Sequence, residues 1–445
     1  MPRAISLLAL CVCLSGISAA DEPPEIGAEL TDIYRHLHTH PELSFLEAET
    51  SARLAAELKV LGFDVTTGVG ADWVTAKAER DQGTVRDGVG GYGVVGVMEN
   101  GDGPTILLRT DMDALPVPEK TEKPYASQVT QVSWSGVESP VMHACGHDIH
   151  MTSWIGTARN LVARRDEWSG TLVMIAQPAE ELGLGAPAML ADGLFERFPT
   201  PDANIALHVS ASLPSGTVGY AKGYALAAVD TVDITVYGEG GHGAYPHTTK
   251  DPVVVASHIV TAIQTLVSRN LNPQEPAVVT VGSFQAGAKH NIISDRADLK
   301  LTVRTYSDEV RELLLEGIVR VAKGQAATFG APEPTVTFET DYIPATYNDD
   351  ALTQRSTEAI ATAIGEDNVI AVPAVMGGED FAHYARTDDK IPSLIYWLGA
   401  VEREKVESRK PLPSLHSPFF APDYEPTIET GVTSLTAAAL AAFNE

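Results

Sequence analysis

The densest chemistry in the chain is the stretch His143-Ala144-Cys145-Gly146-His147-Asp148-Ile149-His150, which gathers three imidazoles, one thiol and one carboxylate into eight residues. Cys and His are soft-to-borderline metal ligands, and Cys145 and His147, at i and i+2, can converge on one ion from a tight turn. A polar loop with helix-capping histidines is the plain alternative; it suffices for one imidazole and accounts poorly for this density. Hydrolysis at a metal also needs a base that is not a ligand, and donors for the developing oxyanion. The adjacent pair Glu180-Glu181 can divide labour, one carboxylate binding metal and the other facing the bound water. A solvated turn is the bland reading of such a pair, but here an apolar run delivers it. His208 and His416 could complete a shell.

These residues need elements to position them. Thr171 to Ala176 is a continuous apolar run, the mark of a strand buried on both faces, and it leads into Gln177-Pro178-Ala179-Glu180-Glu181. A second run, Ile205 to Leu207, ends at His208; polar residues just past strand ends are where open α/β sheets build their sites. A helix is expected over Ile149–Arg164, with Cys145 and His147 in the turn before its N-terminus, where dipole and metal both favour thiolate. Upstream, Ile26, Leu30, Ile33, Tyr34 and Leu37 predict a helix that stops before Pro41. Leu54, Leu58 and Leu61 predict another, ended by Gly62. Strands follow at Val94–Val97 and Thr105–Leu108, leading to Asp111-Met112-Asp113. Gly88, Gly90 and Gly93 imitate a dinucleotide-binding pattern, but a strand-like run follows them where that motif requires a helix, so they read as a hairpin or loop.

The character changes near Tyr224. Strand-like Val229–Tyr237, helical Pro252–Val267, strand-like Ala277–Val281 and Leu299–Thr305, helical Asp308–Val321 and strand-like Thr335–Glu339 give the order βαββαβ, a two-layer unit of its own. Mixed α/β character returns after Asp341, with a strand at Ser393–Leu398 and a final helix at Glu429–Phe443. The predicted fold class is therefore α/β, one domain inserted in another: residues 21–224 and 341–445 form the catalytic domain, and 225–340 the insert.

The chain has 445 residues, 44% hydrophobic and 20% charged, a globular composition long enough for two cores. Its formal charge of −28 argues against nucleic acid or an anionic membrane surface as partner. Arg3, the apolar Ala4–Ile17 and small Ser18-Ala19-Ala20 read as a signal peptide over residues 1–20, so export is expected, to a periplasm or beyond. No other stretch reads as a membrane span or anchor. Removal of the leader takes Cys11 and Cys13 with it, leaving Cys145 as the only thiol and no internal disulfide.

Six segments together resemble one family: His-Thr-His-Pro-Glu-Leu-Ser-Phe (38–45), Asp-Met-Asp-Ala-Leu-Pro (111–116), His-Ala-Cys-Gly-His-Asp (143–148), Gln-Pro-Ala-Glu-Glu (177–181), Gly-Gly-His-Gly-Ala (240–244) and Gly-Gly-Glu-Asp-Phe (377–381). Collinear through nearly the whole chain, they are similar to the amidohydrolase branch of the dinuclear metallopeptidases, which includes aminoacylases, hippurate hydrolases and auxin–amino acid conjugate hydrolases. The resemblance implies a mixed-sheet catalytic domain with a ferredoxin-like lid and dimerisation insert, a homodimer, and two divalent metal ions per subunit. Cys145 would bridge the ions, with His147, Glu181, His208 and His416 as the other ligands. Glu180 would be the base, and Asp113 would orient a ligand from behind. His242 would reach the partner subunit's site and help hold the oxyanion. Asn291, Arg304, Gly377 and Gly378 would meet the substrate, Arg304 through a bidentate grip on a carboxylate. His143 and His150 become supporting residues. Ser294 stands where relatives carry proline, which would loosen the loop presenting Asn291.

The implied reaction is hydrolysis of the amide bond of N-acyl amino acids. Zinc or manganese is expected, and the ligand types also permit cobalt or nickel. A dipeptidase or carboxypeptidase with the same centre is the nearest rival, distinguished by an acidic partner for a free α-amine. A binding protein that kept the fold should have lost a ligand or the base. A cysteine-nucleophile hydrolase should work without metal.

Overall fold

The apolar runs become strands buried on both faces, as their lack of alternation requires. The computed structural model describes residues 27–444; the leader expected over 1–20, with Cys11 and Cys13, and Ile26 of the first predicted helix lie outside the described residues. The main sheet has eight strands in the order Asp64–Val69, Gly93–Asn100, Gly170–Gln177, Thr105–Asp111, Ala203–Pro214, Ser393–Val401, Val218–Tyr220 and Val369–Ala371. The third to sixth of these run parallel to one another, and the strands flanking that block pair with it antiparallel. On one face pack helices Ala28–Thr39, Ala48–Val60, His147–Ala163 and Tyr424–Phe443, with Ile33, Leu54, Trp154, Ile155 and Leu435 in the core. The other face is covered by Gly185–Ala191 and the turn Asp380–Arg386, through Met189, Phe381 and Tyr384. Trp154, fully buried, donates its indole N–H to the carbonyl of Leu108 (3.0 Å) and so ties the helix that follows the Cys/His turn to the sheet.

Residues 228–338 form a four-stranded antiparallel sheet in the order Ala277–Ala286, Arg296–Thr305, Ala228–Tyr237, Thr335–Phe338, with helices Pro252–Thr265 and Asp308–Thr328 packed on it. Its alternating strands bury Val232, Ile234 and Val236 against Ile259, Leu314 and Ile318, a core separate from the first. Both helices are capped as their sequences suggest: Asp251 accepts from the N–H of Val253, and Ser307 from that of Val310.

Several expectations are corrected. Helices Ala71–Gln82 and Asp350–Ile364 were not anticipated. The strand with Ile205–Leu207 does not stop at His208 but runs on to Pro214 beside Ser393–Val401. What ends there is its other pairing: the strand Thr105–Asp111 leaves it after Ala206, two residues before His208. His147 is not in the turn but is the first residue of its helix. The glycines near 90 serve a close approach, since a Cβ on Gly91 would lie 2.3 Å from the backbone carbon of Gly70. Contrary to the expectation that no further stretch is apolar enough to cross a bilayer, helix Pro252–Asn270 is so by length and composition; Val255, Ala256, Ile259 and Ile263 are buried against the insert's own sheet.

Candidate metal centre

The Cys145 turn owes its shape to Gly146, whose φ of 78° lies in the left-handed region and lets the chain swing from thiol to helix within one residue. The parallel strands then deliver the partners. Past Asp111 comes Asp113; past Gln177 comes a tight turn in which Ala179 also takes a left-handed φ of 52°. That turn is held from beneath. Asp113 accepts the backbone N–H of Glu180 on Oδ1 (3.1 Å) and that of Glu181 on Oδ2 (3.0 Å), while Ser44 donates to Oδ2 (2.6 Å). Glu47, buried and 2.8 Å from the N–H of Ala179, accepts the remaining amide. Burial, then the nearby Asp113 carboxylate, pushes the Glu47 carboxyl well up.

Three overlapping groups of ligand atoms result: Cys145, His147 and His208; Cys145, Glu181 and His416; and His147, Glu180 and Glu181, the atoms in each lying within 4.8 Å of one another. Cys145 Sγ is 3.5 Å from His208 Nε2 and 3.3 Å from His416 Nε2, and His416 Nε2 is 3.4 Å from Glu181 Oε1. The tautomers suit ligation. His147 Nδ1 bonds the backbone carbonyl of Asp113 (2.7 Å) and His208 Nδ1 that of Val209 (2.8 Å), so each presents an Nε2 lone pair. His147 Nε2 and Glu181 Oε1 are buried without a hydrogen-bond partner, atoms that a cation would satisfy. Burial works against charge on His147, yet Asp111, Asp113 and Glu181 carry it up to about 10; a field that negative attracts divalent ions. Burial, and then Glu181, Glu180 and Asp111, push the Cys145 thiol well above its usual range. Without an adjacent cation it is a poor nucleophile, which disfavours the cysteine-hydrolase reading. The residues present therefore fit the binding of divalent metal ions.

Two other acidic clusters do not. Asp111 is committed on both oxygens, to His150 Nδ1 (2.7 Å) and Arg109 Nη1 (2.6 Å), and His150 Nε2 accepts the N–H of Val209 (2.8 Å). His150 is thus a neutral strut beside His208, and burial draws its pKa down to about 3. Glu379 and Asp380 are likewise taken up by Arg109, at 2.9 and 3.2 Å. His143 is buried with neither ring nitrogen partnered and joins none of these groups.

Sequence reasoning missed Arg109, Glu47 and the roles of Asp111, Glu379 and Asp380. The fully buried Arg109 guanidinium faces three carboxylates, so Arg109→Met should cost about 3–5 kcal/mol by leaving them unpaired. Urea unfolding measures this, and a loss under about 1 kcal/mol would mean those carboxyls are neutral or otherwise paired.

A cleft of about 550 Å³ opens over the cluster, lined by Cys145, Glu180, Glu181, His208 and His416 and by Arg304, Gly377 and Gly378 from the predicted set. Glu180 is buried, and burial followed by the carboxylates of Glu379 and Glu181 pushes its carboxyl well up, as suits a group that must hold a proton in turnover. Arg304 is half-buried with no ion-pair partner among the described residues, and burial lowers its pKa. A Cβ added to Gly378 would lie 2.4 Å from the Val229 side chain and 3.5 Å from that of Arg304. The small size of Gly378 serves packing against the insert. His242 and Asn291 are exposed and lie together on the ribbon Gly241–His242/Ile292–Ile293, the N–H of Gly243 donating to Asn291 O (2.9 Å). Neither lines the cleft of its own chain. In that ribbon the Ser294 hydroxyl donates to Arg296 O (2.9 Å) and accepts the Arg296 N–H (3.2 Å).

The chain is similar to known proteins along most of its length. The chain is 36% identical over 396 residues to the N-acetylcysteine deacetylase of Bacillus subtilis (strain 168), covering 89% of this chain and 92% of that one. It is 33% identical to the IAA-amino acid hydrolase ILR1-like 4 of Arabidopsis thaliana, covering 88% and 80%. A Bacillus subtilis structure described as a dinuclear metal binding peptidase from M20 family superposes with a TM-score of 0.72 at 31% identity, over 94% of this chain and 98% of that one. The model of peptidase family M20/M25/M40 matches residues 107–441, a span that takes in the Cys145 turn, the Glu180-Glu181 pair, His208 and His416. With that span and those relatives, the chain belongs to peptidase family M20/M25/M40.

Proposed function

We propose that the protein is a metal-dependent amidohydrolase that cleaves N-acyl amino acids to a carboxylic acid and a free amino acid. The observation that carries this is the convergence of thiol, imidazole and carboxylate ligand atoms beside the buried carboxyl of Glu180. Relatives named as acting on N-acetylcysteine, N-acetyldiaminopimelate and IAA-amino acids support the substrate class.

Cys145, His147, Glu181, His208 and His416 would hold two divalent ions, zinc or manganese foremost, with cobalt or nickel also suited to these donors. When bound, such ions acidify water and polarise the scissile carbonyl. Glu180 takes a proton from the attacking water and returns it to the leaving amine nitrogen. Asp113 fixes both glutamates through their backbone amides and fixes His147 through its own carbonyl. Arg304, a cation in the cleft with no ion-pair partner among the described residues, grips the carboxylate of the amino-acid half. The exposed ribbon carrying His242 and Asn291 supports a homodimer in which the partner subunit's His242 meets the developing oxyanion. Exposed Tyr245, Val254, Phe284 and Ile292 on the insert fit such an interface. The leader-like N-terminus supports export to the periplasm.

A dipeptidase or carboxypeptidase remains the second reading, favoured by 33% identity to a thermostable carboxypeptidase of Saccharolobus solfataricus. Protein stripped with chelator and reloaded with single metals should hydrolyse an N-acyl amino acid at least about tenfold faster, in kcat/KM, than the dipeptide of matching shape. Faster dipeptide cleavage reverses the order of the two readings.

A further inference from the structure

The cleft with Arg304 is not the only space beside the paired glutamates. On the other side of the Glu180–Leu182 turn lies a second chamber of about 260 Å³, sharing Glu181 and Leu182 with the first. Its walls are Leu43, Ala114, Leu115, Pro116, Trp134 and Leu182, with three serines and Glu181. The polar groups of the wall are already engaged. The Ser44 hydroxyl donates to Asp113 (2.6 Å), and Ser133 and Ser135 bond each other (3.0 Å). Glu181 is the only ionisable side chain on the wall, and its carboxylate belongs to the ligand cluster.

The chamber is also built, not incidental. Trp134 sits at the tip of the hairpin Thr130–Val132/Glu138–Pro140. Arg86 Nη2 donates to the carbonyls of Ser133 (2.5 Å) and Trp134 (2.6 Å), and Gln82 Nε2 to that of Trp134 (2.8 Å). The indole packs on the buried Phe45 ring at 5.2 Å between centroids. A wall held in place before the ligand arrives loses little freedom on binding.

An amide whose scissile carbonyl lies at Glu180 and Glu181 has two arms. One carries a carboxylate and is met by the unpaired Arg304 cation. The other must leave past Leu182 into a space walled mainly by apolar side chains, where the one lining carboxylate, Glu181, lies in the ligand cluster. We propose that this second chamber is the acyl site, and that it selects bulky apolar acyl groups, aromatic ones above all, through Trp134 and Leu115. The inference rests on the amidohydrolase reading and narrows its substrate to N-aryl-acyl and medium-chain N-acyl amino acids.

The test is a series on one amino acid (acetyl, butyryl, hexanoyl, benzoyl and phenylacetyl), read as kcat/KM with the metal-loaded enzyme. Values should rise about three- to fourfold per methylene from acetyl to hexanoyl, with the aryl members at least about thirtyfold above acetyl. Trp134→Ala should narrow the benzoyl-to-acetyl ratio by about tenfold; Leu115→Ala carries the same test if that variant does not fold. Hydrolysis that is flat across the series, or best with acetyl, overturns the acyl site while leaving the amidohydrolase standing. So does a steep series that a folded Trp134→Ala leaves unchanged, since the acyl group then binds elsewhere. No hydrolysis of any member overturns both readings at once.

Discussion

Glu180→Gln should keep its fold and its metal content while kcat falls by roughly two or more orders of magnitude. The amide is nearly isosteric, and the backbone N–H of residue 180 still donates to Asp113, so the turn keeps its shape. What disappears is a carboxylate able to take a proton from water and return it to a leaving nitrogen. Metal content by elemental analysis separates this role from ligation, because Glu180 also lies near the cluster, with Oε2 3.9 Å from His147 Nε2. Wild-type turnover in the variant removes Glu180 as the base. Loss of metal alongside activity makes it a ligand.

Cys145→Ala should lower metal affinity by at least about 100-fold, beyond the 10- to 100-fold that orienting partners of ligands contribute. Its sulfur belongs to both the His147/His208 group and the Glu181/His416 group, so one substitution removes a ligand from each. His208→Ala should affect one group only, giving a protein that retains about half of its metal. Equal occupancy in wild type and Cys145→Ala would leave the thiol a bystander.

The residues that could ligate were legible because their types are few and their spacing is unusual; Cys145 and His147 announce a turn before any helix is assigned. The strands were legible as apolar runs, and their ends gave the Glu180-Glu181 pair. The buried polar scaffold was not. Arg109 lies inside a buried strand, and nothing local shows that Glu379 and Asp380, some 270 residues on, will neutralise it. Glu47 reads as an ordinary helix-start carboxylate, and only the folded chain brings Ala179 to it. The missed helices share a cause. Ala71–Gln82 buries Val74, Lys77 and Ala78, and Asp350–Ile364 buries Thr353, Ser356 and Thr357 beside Leu352 and Ile360, so neither shows a clean apolar stripe. His208 was chosen for a reason that needed amending: the strand continues, and its neighbour departs.

His416 has one further consequence. Its side chain is 54% exposed, it stands at a left-handed φ of 63°, and its N–H bonds the carbonyl of Ala144 (2.9 Å). It reaches Cys145 across 271 positions of sequence. Among the described residues Cys145 is the only cysteine, so none of them can be stapled to another by sulfur. Ions held by donors at 145, 147, 181, 208 and 416 would stitch four distant stretches of chain at one point, closing loops whose entropy grows only slowly with length. The catalytic centre would then double as the clasp of the molecule, and a protein built this way would owe its endurance to metal supply where others rely on oxidised cysteines.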